Sequence, residues 1–174
     1  MKYLQNGGYQ NQALMRLTIG FSLVFLMIFI VTNFGLYFSR MSLDPASVVS
    51  YFNGSDEEFR PARSFQSMLE VAHGHMATMA LVLLLLTHLL LFAPFSRRAK
   101  VSFIVAAFVS GLLSEGGGWL VRYVHPSLAI VKVVGFVGLQ GSLMFLLGSL
   151  AAFLLRARAY ERDPAARSAE SLGP

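Results

Sequence analysis

The chain has 174 residues, 55% hydrophobic and 13% charged, with a net charge of +5 and no cysteine. Its mean hydropathy of +0.60 leaves too little polar surface for a soluble domain and places it in a membrane. The missing cysteines exclude disulfides, thiolate metal sites, iron–sulfur ligation and covalent c-type haem. The positive charges cluster in the tails and one loop, the pattern of orientation signals, which argues against nucleic acid as a partner.

Four apolar runs are long enough to cross a bilayer, at ~20 residues each. They predict spans at 17–38, 66–93, 101–121 and 127–155, with an outer loop at 39–65. The first span, "LTIGFSLVFLMIFIVTNFGLYF", has no ionisable group and is read as retained, because no small-x-small cleavage site follows it. Orientation follows from Lys and Arg. Lys2, Arg16, Arg97, Arg98, Lys100, Arg156, Arg158, Arg162 and Arg167 lie on one side, against Arg40, Arg60, Arg63 and Arg122 on the other. Residues 1–16 and 156–174 are therefore expected in the cytoplasm, the latter as a disordered polar tail. The expected fold is an all-α, polytopic four-helix bundle, N-in and C-in.

Within the outer loop, "DPASVVSYFNG" reads as a short helix, with Asp44 as N-cap, Pro45 at the first helical position and Gly54 past the end. "SDEE" then has Ser55 and Glu58 at capping-box spacing and predicts one more helical turn.

The chemistry rests on polar residues inside the spans, each costing at least ~2.5 kcal/mol in hydrocarbon without a partner. Glu70, His73 and His75 lie within about three turns of the outer end of the second span. Glu115 is about two turns from the outer end of the third, Lys132 about one turn into the fourth, and Arg122 and His125 close the rim. These groups share the outer leaflet, apart from His88, about 22 Å further along the second span. On a regular helix His73 and His75 point roughly 160° apart, whereas Glu70, His73 and His88 fall on one stripe that is expected to face the interior.

Three chemistries suit this layer. A b-type haem would take His73 or His75 with His125 as axial pair, Arg122 and Lys132 at the propionates, and the glycines of the third and fourth spans as a slot. A second haem at His88 has only Met144 to complete it. A copper, iron or zinc ion would be held by His73 or His75 together with Glu115 and His125. Quinone or proton handling would use a His and a Glu near the outer surface. Against these stands a purely structural use, with glycines for close helix packing and Glu115 paired to Lys132 or Arg122.

The phrase "FQSMLEVAHGHMATMALVLLLLTHLL" resembles bacterial inner-membrane b-type cytochrome subunits, in which H-x-H opens a helix and another His follows near its far end. The resemblance covers about one helix and implies His73, His75 and His88 as haem or metal residues. Such subunits usually supply four axial histidines on two helices, whereas this chain has four in total, three on one helix. The function expected is a small haem- or metal-binding redox subunit, carrying electrons near the outer, periplasmic face within a larger complex. Its partners would be lipid, other membrane subunits and a periplasmic electron-transfer protein or quinone. The competing reading is a scaffold subunit without a cofactor.

Overall fold

The computed structural model describes residues 13–57 and 59–162. They form α1 (Ala13–Phe38), α2 (Pro45–Asn53), α3 (Phe65–Leu90), α4 (Arg97–Tyr123), one 3-10 turn (Pro126–Leu128) and α5 (Ala129–Arg162). Four of these helices are long and apolar enough to cross a membrane. Four crossings put the start of α1 and the end of α5 on the same side of the membrane.

The helices overrun the apolar runs because hydropathy measures the hydrocarbon layer, not the hydrogen-bonded helix. α4 starts four residues before its predicted span, where the Ser96 hydroxyl accepts from Ala99 N–H as N-cap. Lys100 Nζ donates to the Leu91 carbonyl (2.6 Å), so a basic side chain closes the C-terminal end of α3. α3 itself ends at Leu90, short of the predicted 93. α5 continues to Arg162. The expected disorder of the tail is therefore wrong for 156–162, where Ala and Arg are strong helix formers and the first proline is Pro164. Positions 163–174 and Lys2 lie outside the described residues.

The outer connector matches expectation in its first half and departs from it in the second. Asp44 caps α2 by accepting from Ala46 N–H (3.1 Å), and Gly54 leaves the helix at φ +89°, where a Cβ would meet the Arg60 carbonyl. The "SDEE" turn is not helical. Ser55 and Arg60 exchange both backbone hydrogen bonds at 3.0 Å, closing a tight loop with Phe59 at φ +49°. Such a reciprocal pair uses the Ser55 backbone that a capping box would have required. Glu58 lies outside the described residues. Asp44→Ala should cost about 1 kcal/mol of local α2 stability. Amide exchange over 46–53 should then quicken roughly fivefold, and unchanged exchange would show that packing alone holds α2.

The antiparallel α4–α5 hairpin is the centre of the molecule; α1 packs on α5, α3 on α4 and α5, and α2 lies across α4 and α5. Its glycines explain the close approach. A Cβ at Gly117 would come within 2.6 Å of Lys132 Cα, and one at Gly135 would overlap the Leu113–Ser114 backbone. At Gly118 it would strike the Phe52 ring, so α2 docks Val48, Tyr51 and Phe52 into space that a glycine leaves open. These positions serve helix packing rather than a macrocycle slot. α1 is held more lightly. Tyr37 stacks on Phe136 at 3.6 Å between ring centres, yet most of the helix is exposed for lipid.

Candidate functional site

α3 packs chiefly on α4 and α5, so it buries a narrow stripe. That stripe is Met68, Leu83, Leu86 and Leu90, and His75 and Met79 point to the same side. Glu70, His73 and His88 are exposed, which corrects the expectation that they form the interior line. The inward side of a membrane helix is chosen by packing volume, and the Met and Leu residues outweigh the polar ones. Glu70 accepts from Gln66 Nε2 within its own helix (3.0 Å).

His75 Nδ1 meets Glu115 Oε1 at 3.3 Å, an ion pair whenever the imidazole is protonated. The Glu115 side chain is 19% exposed and that of His75 53%. Lys132 Nζ donates to the Ser114 carbonyl, one residue before Glu115, and so reaches the same place from α5. α3, α4 and α5 each contribute one member of this cluster.

The cluster is the wall between two cavities. The inner one, 280 Å³, lies in the slot between α1 and α3 with α4 and α5 behind it. Its outer end carries His75, Glu115 and Lys132, while Val82, Leu83, Leu139 and Leu143 line the rest. Gln140 also faces it, 3% exposed and with its Oε1 lacking any hydrogen-bond partner in the protein. The outer cavity, 160 Å³, sits beneath α2 and shares Arg40, Met41, His75, Glu115 and Lys132 with the inner one.

The other expected site residues lie elsewhere. His125 accepts from Ser127 N–H (3.2 Å) as the cap of the 3-10 turn, with Ser127 Oγ 2.7 Å away. Arg122 donates from Nε to the Arg63 carbonyl (3.0 Å). His88 lies edge-on to Phe92 in a separate, apolar groove near the C-terminal end of α3 that Met144 does not line. The ligand set His73, His75, Glu115 and His125 is thus not gathered, and among the described residues no three His, Asp or Glu side chains stand close enough to hold a metal ion. Of the four histidines, His75 reaches these two cavities; Gly117, Gly118, Gly135 and Gly138 are closed by neighbouring atoms, whereas Gly116, Gly141 and Gly148 face open space.

Sequence reasoning missed Gln140, Arg40 and Arg63. Gln140 was legible as the third member of a Lys132–Phe136–Gln140 series at i, i+4, i+8, all three of which line the inner cavity.

Residues 42–161 match the model of a family described as a transmembrane helical domain, a stretch running from just before α2 almost to the end of α5 and leaving α1 outside it. No curated protein and no solved structure matches the chain. As the family match spans more than half of the sequence, the protein belongs to the Aq_1264_TM family of transmembrane helical domains.

Proposed function

We propose that this protein is a redox subunit of a bacterial inner-membrane electron-transfer complex, and that it binds a quinone-class carrier at the outer leaflet. The observation that carries the reading is the inner cavity's division into a polar end and an apolar shaft. A quinone has the same division, with a ring of two carbonyls on an isoprenoid tail. Lys132 Nζ and, in the imidazolium form, the Nε2–H of His75 are donors for a carbonyl, and Glu115 and the unpartnered Gln140 Oε1 are acceptors for the hydroxyls of the reduced form. The lateral slot between α1 and α3 suits a ligand that arrives from the bilayer rather than from water. The resemblance of α3 to b-type cytochrome subunits supports the electron-transfer setting, with the haem supplied by another subunit.

Trp119, the single tryptophan, lines the outer cavity beside His75 and Glu115 and reports binding. Titrating the purified protein in nanodiscs with decylubiquinone should quench its fluorescence saturably. A hydrogen bond to a charged or ionisable group contributes ~1.5–3 kcal/mol, so His75→Ala should weaken binding by about tenfold or more. His73→Ala, altering a side chain on the opposite face, should change it less than about twofold. Quenching that rises without saturation and equally in all three proteins would mean simple partition into lipid, and would leave the scaffold reading in place.

A further inference from the structure

We infer that the outer cavity is a separate binding site for a phosphate-class oxyanion, either a lipid headgroup or free phosphate. This goes beyond the carrier site and does not depend on it.

Charge is the first observation. Three cations from three different parts of the chain line this small chamber: Arg40 just after α1, Arg63 just before α3 and Lys132 in α5. The lining holds one carboxylate, Glu115, and that oxygen is already engaged by His75. Among the described residues, the connector's Asp44, Asp56 and Glu57 do not line it. Gathering like charges in a half-enclosed space at membrane depth is unfavourable unless an anion joins them.

The second observation is that two of the cations, Arg63 and Lys132, are held in place, Lys132 by its bond to the Ser114 carbonyl. The Arg63 guanidinium carbon lies 4.4 Å from the centre of the Tyr51 ring, and the Arg63 carbonyl is fixed by Arg122 Nε. Stacking on an aromatic face orients a guanidinium while leaving its N–H groups available in the ring plane, the arrangement used to fork onto phosphate oxygens. Ser67 adds a hydroxyl to the same lining.

Location supplies the third. The chamber lies at the outer end of the bundle, under an amphipathic helix and beside Trp119 and Tyr51, at the level of lipid headgroups. The chamber adjoins the inner cavity, with which it shares five lining residues, so the tails of an acyl-linked phosphate would meet an apolar neighbour.

Native mass spectrometry of the full chain in detergent tests the assignment, with dioleoyl phosphatidylglycerol, dioleoylglycerol and inorganic phosphate as probes. Phosphatidylglycerol should be retained and dioleoylglycerol, with the same tails and no phosphate, should not. Arg40→Gln with Arg63→Gln should lower retention about tenfold or more, whereas Arg40→Lys with Arg63→Lys should keep most of it. Retention of inorganic phosphate with the same charge dependence identifies the free oxyanion as sufficient, and retention of phosphatidylglycerol alone identifies the headgroup. Equal retention of both lipids, no retention of any probe, or retention unchanged in the Gln variant overturns the inference. Should the double variant not fold, Arg40→Gln alone carries the test, since Arg40 is exposed, with a loss of about threefold or more expected.

Discussion

Gly135→Val should abolish the folded bundle or lower its stability by about 3 kcal/mol or more, whereas Gly141→Val should be tolerated within about 0.5 kcal/mol. The two glycines lie less than two turns apart on α5. At Gly135 a side chain would enter the backbone of α4 at Leu113 and Ser114, and backbone cannot rotate away as a rotamer can. The hairpin must then open, and with it goes the geometry that brings Lys132 beside Glu115. Nothing lies within 4 Å of the corresponding position at Gly141, which faces outward. The comparison is read from the midpoints of SDS-induced unfolding in mixed micelles and from the elution profiles in mild detergent. Equal midpoints would mean that the hairpin is held by something other than close approach, and that the glycine-slot reading of the α4–α5 groove should be reopened.

How much of this was visible in the residues differs by level. The spans were legible because twenty-odd apolar residues in a row have one physical use, and α2 was legible because Asp44, Pro45 and Gly54 each act locally. Helix ends were not, because Ser96 and Arg97 are polar by composition yet helical by capping. Depth was also legible. Rise per residue alone puts His75, Glu115 and Lys132 in one layer, and the structure gathers those three.

Azimuth was the missing quantity. A helix seen alone shows only that His73 and His75 point apart; which of them faces inward is decided by where α4 and α5 sit, and that depends on Gly117 and Gly135, far along the chain from either histidine. His125 shows the same limit at the membrane rim, since its side chain is taken up locally by Ser127, a turn motif that a search for ligands passes over. Gln140 was passed over for a different reason: a neutral amide costs less in hydrocarbon than a charge, so a survey of ionisable groups does not reach it.

The remaining large effect separates a tie that holds helices together from a site that takes a ligand, and Glu115 with Lys132 is where the two readings part. Glu115→Gln should destabilise the bundle by about 3 kcal/mol, because it leaves a half-buried Lys132 with the Ser114 carbonyl and no facing carboxylate. Lys132→Met should cost less, about 1–2 kcal/mol, since Glu115 keeps His75. The double variant Glu115→Gln/Lys132→Met should fall short of the sum by about 1–3 kcal/mol, the coupling expected of groups in one cluster. Additive losses in the same unfolding assay would mean that the two charges do not sense each other across the α4–α5 groove. Ligand binding should behave differently from stability. Replacing both charges restores an electrically neutral wall, but it also deletes a donor and an acceptor from the polar end of the inner cavity. A double variant that regains stability while decylubiquinone still fails to saturate Trp119 quenching is what a carrier site requires. A double variant that regains both would make the cluster a structural tie, and the cavity beside it a consequence of how α1 and α3 lean on the hairpin.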